Sequence, residues 1–234
     1  MAESDTIAEN IIQIQRQLDR CCVRYNRDAA SILLLAVSKG QPEAALRAAW
    51  RTGLHAFGES YLQEAIKKIH VLADLNISWH YIGGIQSNKT RDIASHFDWV
   101  HSIDRLKIAQ RLSAQRPASK PPLQVCLQIN VSKESSKSGI VVDDLQQLAT
   151  QVAALPGLKL RGLMALPQAS NDFAQQRAAF HTMHAAFTQL CAAGFLLDTL
   201  SMGMSNDMEA AIAEGSTLLR IGTAIFGQRQ TQNI

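Results

Sequence analysis

Ile32-Leu33-Leu34-Leu35-Ala36-Val37-Ser38-Lys39-Gly40 is the stretch on which the fold turns. Six apolar residues run without alternation and stop at polar and glycine residues, the pattern of a strand buried on both faces. Gln41-Pro42-Glu43 then opens a helix, with proline near its first turn. The unit recurs. Short apolar runs lie near 55–58, 79–83, 99–103, 123–131, 158–166, 199–202 and 218–226. Helical patterns lie between most of them, near 60–73, 86–96, 104–115, 141–154, 171–193 and 206–214. Strand–helix alternation implies right-handed crossovers and a parallel sheet. About eight such units fit a closed (β/α)8 TIM barrel. A doubly wound open sheet has fewer strands and a glycine-rich first turn, and no Gly-x-Gly-x-x-Gly follows this first strand. Upstream, residues of about 5–26 form an amphipathic helix, with Ile7, Ile11, Ile12, Ile14, Leu18 and Cys22 near helical spacing. No low-complexity linker divides the chain, so the expectation is a single α/β domain over 1–234: an extra N-terminal helix, then a barrel at about 31–228.

Composition narrows the function. The chain has 234 residues, 47% of them hydrophobic and 18% charged, which is ordinary for a globular protein. A formal charge of +3 is no electrostatic footprint for nucleic acid. Cys21 and Cys22 are adjacent and no Cys-x-x-Cys pair exists, so neither a zinc ribbon nor a disulfide framework is suggested. A reducing, cytoplasmic setting follows. The N-terminus is acidic where a signal peptide is basic, and the apolar runs are too short to span a bilayer.

In a barrel the active site lies at the C-terminal ends of the strands. Lys39 ends the first one. Desolvation there disfavours the ammonium and frees the amine as a nucleophile, whereas a rim lysine would pack its stem and reach water with its head. The loops after strands seven and eight often hold phosphate in barrels, and here they carry Ser201, Ser205, Gly222 and Thr223, with a helix beginning near Ser205-Asn206. The plain alternative is an N-cap at Ser205 and a turn at Gly222. Arg220, within an apolar strand, needs a partner: an acid across the barrel or a ligand's acceptor atom. A reactive lysine, a phosphate cradle and a cation facing a ring together suggest pyridoxal 5′-phosphate (PLP).

The stretches LLAVSKG (34–40), HAFGESYLQEAIKK (55–68), WHYIGGIQSNKTR (79–91), VHSIDRL (100–106), QINVSKESSKSGI (128–140), RGLMALP (161–167) and LSMGMSNDMEAAIAEGSTLLRIGTAIFG (200–227) are long and specific. On them the sequence resembles the YggS/PROSC family of PLP homeostasis proteins, whose barrel is similar to the N-terminal domain of alanine racemase. The resemblance spans about 7–228. It implies that Lys39 forms the internal aldimine with PLP and that Ser201, Ser205, Gly222 and Thr223 surround the phosphate. It also implies that Arg220 faces the pyridine nitrogen and that Asn130 and His80 line the ring's site. Two departures stand out. Ser60 replaces the asparagine usual after Gly58-Glu59, and Gln41 replaces a second lysine, which excludes a secondary acceptor there. Lys137 reads as a solvated loop lysine with room for a secondary role in passing on PLP. Asn88-Lys89-Thr90-Arg91 reads as an exposed helix start, Tyr61 as packing, and His181 with His184 as no metal site.

Two functions then compete: a PLP carrier serving intracellular PLP homeostasis, and a PLP-dependent amino-acid racemase or related enzyme of weak activity. The chain ends soon after the barrel would close, leaving no second domain to bring a tyrosine base. An always-charged arginine at the pyridine nitrogen makes a poor electron sink. The carrier is therefore the expected function, a monomer with PLP-dependent apo-enzymes as partners, and with no nucleic acid or membrane.

Overall fold

The computed structural model describes residues 2–131 and 138–227. Helix α1 (Ala2–Arg24) comes first. Eight strands follow: β1 (Leu33–Val37), β2 (Ala56–Glu59), β3 (Ser78–Tyr81), β4 (Trp99–Ile103), β5 (Leu123–Ile129), β6 (Leu158–Ala165), β7 (Thr199–Ser201) and β8 (Leu218–Ile221). Between them run α2 (Glu43–Arg51), α3 (Leu62–Val71), α4 (Thr90–His96), α5 (Leu106–Ala114), α6 (Leu145–Ala153), α7 (Phe173–Ala192) and α8 (Met208–Ala213), and α9 (Thr223–Phe226) follows β8. Each strand pairs in parallel with the next, and β8 pairs back onto β1, so the sheet closes in chain order. The expected barrel is therefore the observed one.

The alternation that a parallel strand hides in sequence is visible in its packing. On β1, Leu34 and Ala36 join the large apolar cluster under the helices, while Leu35 belongs to a small separate cluster with Ala56 and Leu218. Leu35 is also the register partner of Arg220 on β8. Thus Leu35, Val37 and Lys39 follow one another on a single row of β1, and Leu218, Arg220 and Gly222 on the facing row of β8.

The last strand is shorter than the apolar run 218–226 suggests. The ladder stops at Ile221, and Thr223–Phe226 turns into α9. That one-turn helix and the six residues of α8 cover little of the barrel. Helix α1 packs against α2, α8 and α9 instead. It buries Ile7, Ile11, Ile14, Leu18, Cys21 and Cys22, whereas Ile12, expected on the same face, stays half exposed. Asn10 Nδ2 donates to Ile225 O at 3.0 Å, and Arg27 donates to the carbonyls of Ile212 and Ser216. Among the described residues no helix is long and apolar enough to cross a membrane.

Closure is tightest where β6 meets β7. Gly162 is the register partner of Thr199, and a Cβ built on it would lie 1.7 Å from the Thr199 carbonyl oxygen. Backbone on both sides leaves nothing to yield. Gly162→Ala is expected to destabilise the protein by at least about 3 kcal/mol, the upper part of the range for overpacking, seen as a lowered midpoint in thermal or urea unfolding. An unchanged midpoint would show that the strands can part at no cost.

Candidate functional site

A cavity of about 400 Å³ opens at the C-terminal ends of the strands, within the roughly 300–1,000 Å³ of small-molecule sites. Val37 and Lys39 reach it from β1, Ile82 follows β3, Met164 comes from β6, and Arg220 from β8. Ser205, Asn206 and Asp207 supply the β7–α8 turn, and Gly222 and Thr223 the start of α9. One side is apolar, with Val37, Ile82, Met164 and Leu166. The rest presents the Lys39 amine, the Arg220 guanidinium, the Asp207 carboxyl and the hydroxyls of Ser60, Ser170, Ser205 and Thr223. Gln41 and Ser60, the two departures from the family pattern, are both on the wall.

The floor is built around Arg220, only 4% exposed. One terminal nitrogen donates to Ser201 O at 2.5 Å and to Ser201 Oγ at 2.7 Å, and the other to Ala165 O at 2.8 Å. Among the described residues no carboxylate makes a hydrogen bond to it. Burial pulls its pKa down to about 10, which still leaves it charged at neutral pH. Asp207, in the same cavity, is its nearest compensation: Arg220 favours the carboxylate, but burial outweighs this and pushes the carboxyl up.

Beneath Arg220 a chain of hydrogen bonds runs down the barrel. His101 Nδ1 lies 2.8 Å from Ser201 Oγ, His101 Nε2 lies 2.9 Å from His80 Nδ1, and His80 Nε2 lies 3.1 Å from Ser78 Oγ. Arg220 donates to the Ser201 hydroxyl, and below it each imidazole pairs through both ring nitrogens, one donating and the other accepting. Both imidazoles are thereby neutral. Burial also lowers both pKa values, that of His80 to about 3, and for His101 the nearby His80 and Arg220 add to the effect. Trp99 stacks on His80 with rings 5.3 Å apart.

The structure thus brings Lys39, Ser205, Arg220, Gly222 and Thr223 together on one wall. It separates the others. Ser201, expected beside a phosphate, lies under the floor with its hydroxyl engaged by Arg220 and His101. His80, expected beside a ring, is reached from Arg220 only through Ser201 and His101. Asn130 ends β5 half buried, its N–H donating to Ile140 O, and is not part of the cavity wall. The helix expected near Ser205 begins instead at Met208. Residues 205–207 are a turn, with Asp207 Oδ1 accepting from Met204 N. That turn needs Gly203 at φ +96°, where a Cβ would lie 2.5 Å from Ala211 Cβ.

Tyr61 is exposed at the cap of α3 rather than packed. The 88–91 cluster is a structural turn: Thr90 is buried, and Arg111 Nε donates to Ser87 O and Thr90 Oγ1. His181 and His184 meet the side chain and the carbonyl of Glu214. Lys137 lies outside the described residues. Sequence reading missed Asp207 on the cavity wall and His101 beneath Arg220. The signal for His101 was a histidine inside an apolar strand, and for Asp207 an acid in the turn already suspected.

Residues 5–230 match the family model described as alanine racemase, N-terminal domain. The chain belongs to this family. It is 58% identical over 224 residues to the pyridoxal phosphate homeostasis protein of Pseudomonas aeruginosa, covering 96% of each chain. To the protein of the same name from Escherichia coli K12 it is 50% identical over 226 residues, covering 95% of this chain and 97% of the relative. The solved structure of PipY from Synechococcus elongatus PCC7942 with PLP bound superposes with a TM-score of 0.83 at 36% identity, covering 94% of this chain and all of that one. Alanine racemase from Corynebacterium glutamicum shares the fold at 19% identity and a TM-score of 0.69, over 99% of this chain and 62% of that one.

The neutral imidazoles give the family barrel here a pH signature. Their folded pKa values lie below the unfolded value of about 6.5, so unfolding takes up protons as pH falls. Their contribution is complete above about pH 6.5 and is lost as pH falls below it, each imidazole adding the slope of one proton taken up on unfolding. His80→Asn, which keeps an acceptor for His101, is expected to halve that slope in urea unfolding followed against pH. An unchanged slope would mean that His80 is protonated in the fold.

Proposed function

We propose that this protein binds PLP and serves its homeostasis, holding the cofactor covalently through Lys39. The observation that carries the reading is the cavity itself. It sets an amine at the end of β1 beside a buried cation that lacks a hydrogen-bonded carboxylate, with hydroxyls on the β7 and β8 loops. That donor set suits an anionic aromatic aldehyde: the cation takes the ring nitrogen, Ser205 and Thr223 donate to phosphate, and Val37, Ile82 and Met164 offer apolar surface to the ring. PLP, when bound, supplies an aldehyde that condenses with a primary amine and releases water.

The chain's own groups do the rest. Lys39 supplies the nucleophile, and Arg220 would hold the ring nitrogen without giving it a proton. The names of the P. aeruginosa and E. coli relatives, and the PLP in PipY, support the same reading. Delivery to PLP-dependent apo-enzymes by a monomer in the cytoplasm completes the proposal. Four free cysteines accord with a reducing compartment. A racemase is the weaker reading, because Arg220 leaves the ring a poor electron sink and the described cavity wall carries no tyrosine or histidine opposite Lys39.

The purified protein loaded with PLP is expected to absorb near about 420 nm, a property of the cofactor, and borohydride should fix the adduct on Lys39. Lys39→Ala should abolish it, and full occupancy of another lysine would sink the assignment. Thr223→Val should weaken PLP binding more than pyridoxal binding, by about 1.5–3 kcal/mol for a charge-assisted hydrogen bond. Equal losses in titration calorimetry would take Thr223 off the phosphate. With L-alanine in deuterium oxide, exchange without inversion is expected, and D-alanine formed at roughly 1 s⁻¹ or faster would restore the racemase.

A further inference from the structure

The chain's one deeply buried lysine–glutamate cluster among the described residues lies behind Lys39 and outside the cavity. Lys68 on α3 is 2% exposed, while its neighbour Lys67 points to solvent. Its ammonium has three hydrogens and three acceptors: Ser38 O at 2.7 Å, Glu59 Oε1 at 2.8 Å and Glu64 Oε1 at 2.5 Å. The same carboxylates take the other groups of the β1 exit. Ser38 Oγ donates to Glu59 Oε1 at 2.6 Å, and Gly40 N donates to Glu64 Oε1 at 2.7 Å. Ser38 and Gly40, the residues on either side of Lys39, therefore both end on one ammonium.

We infer that Glu59, Glu64 and Lys68 are positioning residues that fix the backbone at Lys39 so that its amine meets the bound aldehyde. Lys39 lies two residues beyond the end of β1, where the sheet no longer holds it. A nucleophile must be placed to well under 1 Å, and that precision comes from the groups supporting it. Stability does not account for the cluster. A buried ion pair is on balance no better than apolar residues of the same volume. This one also leaves Glu59 Oε2 buried without a hydrogen bond, an arrangement that is itself costly. Burial pushes the Glu59 carboxyl up in spite of Lys68. What the cluster gains is geometry: both flanks of one residue tied to one point.

The inference rests on the PLP reading, and its test separates the two. Glu59→Gln combined with Lys68→Met removes the fully buried pair together and leaves only Glu64, whose side chain is 32% exposed, to be solvated by water. Binding is measured for PLP and for pyridoxine 5′-phosphate, which carries an alcohol in place of the aldehyde and cannot condense with an amine. The double variant is expected to melt close to wild type and to bind pyridoxine 5′-phosphate within about twofold of wild type. It should bind PLP at least about tenfold more weakly, with less adduct fixed on Lys39 by borohydride. Should the double variant not fold, Glu64→Ala, whose side chain is 32% exposed, carries the same split at about threefold. Equal weakening of both ligands, or no change in either, would overturn the positioning role. Wild-type protein that binds neither ligand would overturn the PLP reading instead.

Discussion

A guanidinium taken out of water must find compensation, and here it finds it in neutral oxygens. Arg220 is held by Ser201 and Ala165, with no acid in hydrogen-bond contact among the described residues. That single constraint orders the interior. Below Arg220 a continuous line of hydrogen bonds runs from Ser201 through His101 to His80 and Ser78. Barrel interiors are usually filled by branched apolar side chains. This one assigns much of that space to a polar column, and its apolar inner cluster shrinks to Leu35, Ala56, Leu218 and the half-buried Ile82. The outcome is a positive floor, offset by Asp207 in the same cavity, that faces whatever occupies the space above it.

The barrel was legible in the chain because eight apolar runs separated by amphipathic helices admit few other arrangements. Lys39, Arg220, Gly222 and Thr223 were legible for a related reason, since each sits at or just beyond a strand end and strand ends could be located. Ser201 and His80 lie deeper in the barrel than the wall residues. A strand of three or four residues spans both the floor and the rim, and sequence does not say which of two adjacent positions sits at which level. Strand eight was overextended because Ala224, Ile225 and Phe226 are apolar in a helical turn just as in a strand. The cluster of Glu59, Glu64 and Lys68 was invisible for another reason. On a helix, Lys67 and Lys68 look alike, and only the packing of α3 against the β1 exit turns one of them inward.

The two layers of support around the cavity differ in kind. Under the floor, neutral groups hold a charge in place, and their cost is felt as sensitivity to acid. Behind Lys39, charges hold a neutral backbone in place, and their cost is an unsatisfied carboxylate oxygen. The wall residues that depart from the family pattern, Gln41 and Ser60, stand between these layers. Gln41 meets the Lys68 cluster only through its backbone N–H, which donates to Ser38 O at 3.0 Å, so its side chain can vary while that support stays intact.

The packing of α1 on α8 and α9, together with the pairing of β1 with β8, means that the barrel is sealed by a seam between the beginning and the end of the chain. The cavity lies on that seam. Its amine comes from the first strand, and its guanidinium and α9 hydroxyl come from the last strand and the turn after it. A chain emerging from the ribosome therefore carries half a site until its final strand has docked, and contacts so distant in sequence form late and slowly. A ligand that touches both sides acts as a clasp across the seam and stabilises the closed ring by mass action. Occupancy of the site and completion of the fold are one equilibrium.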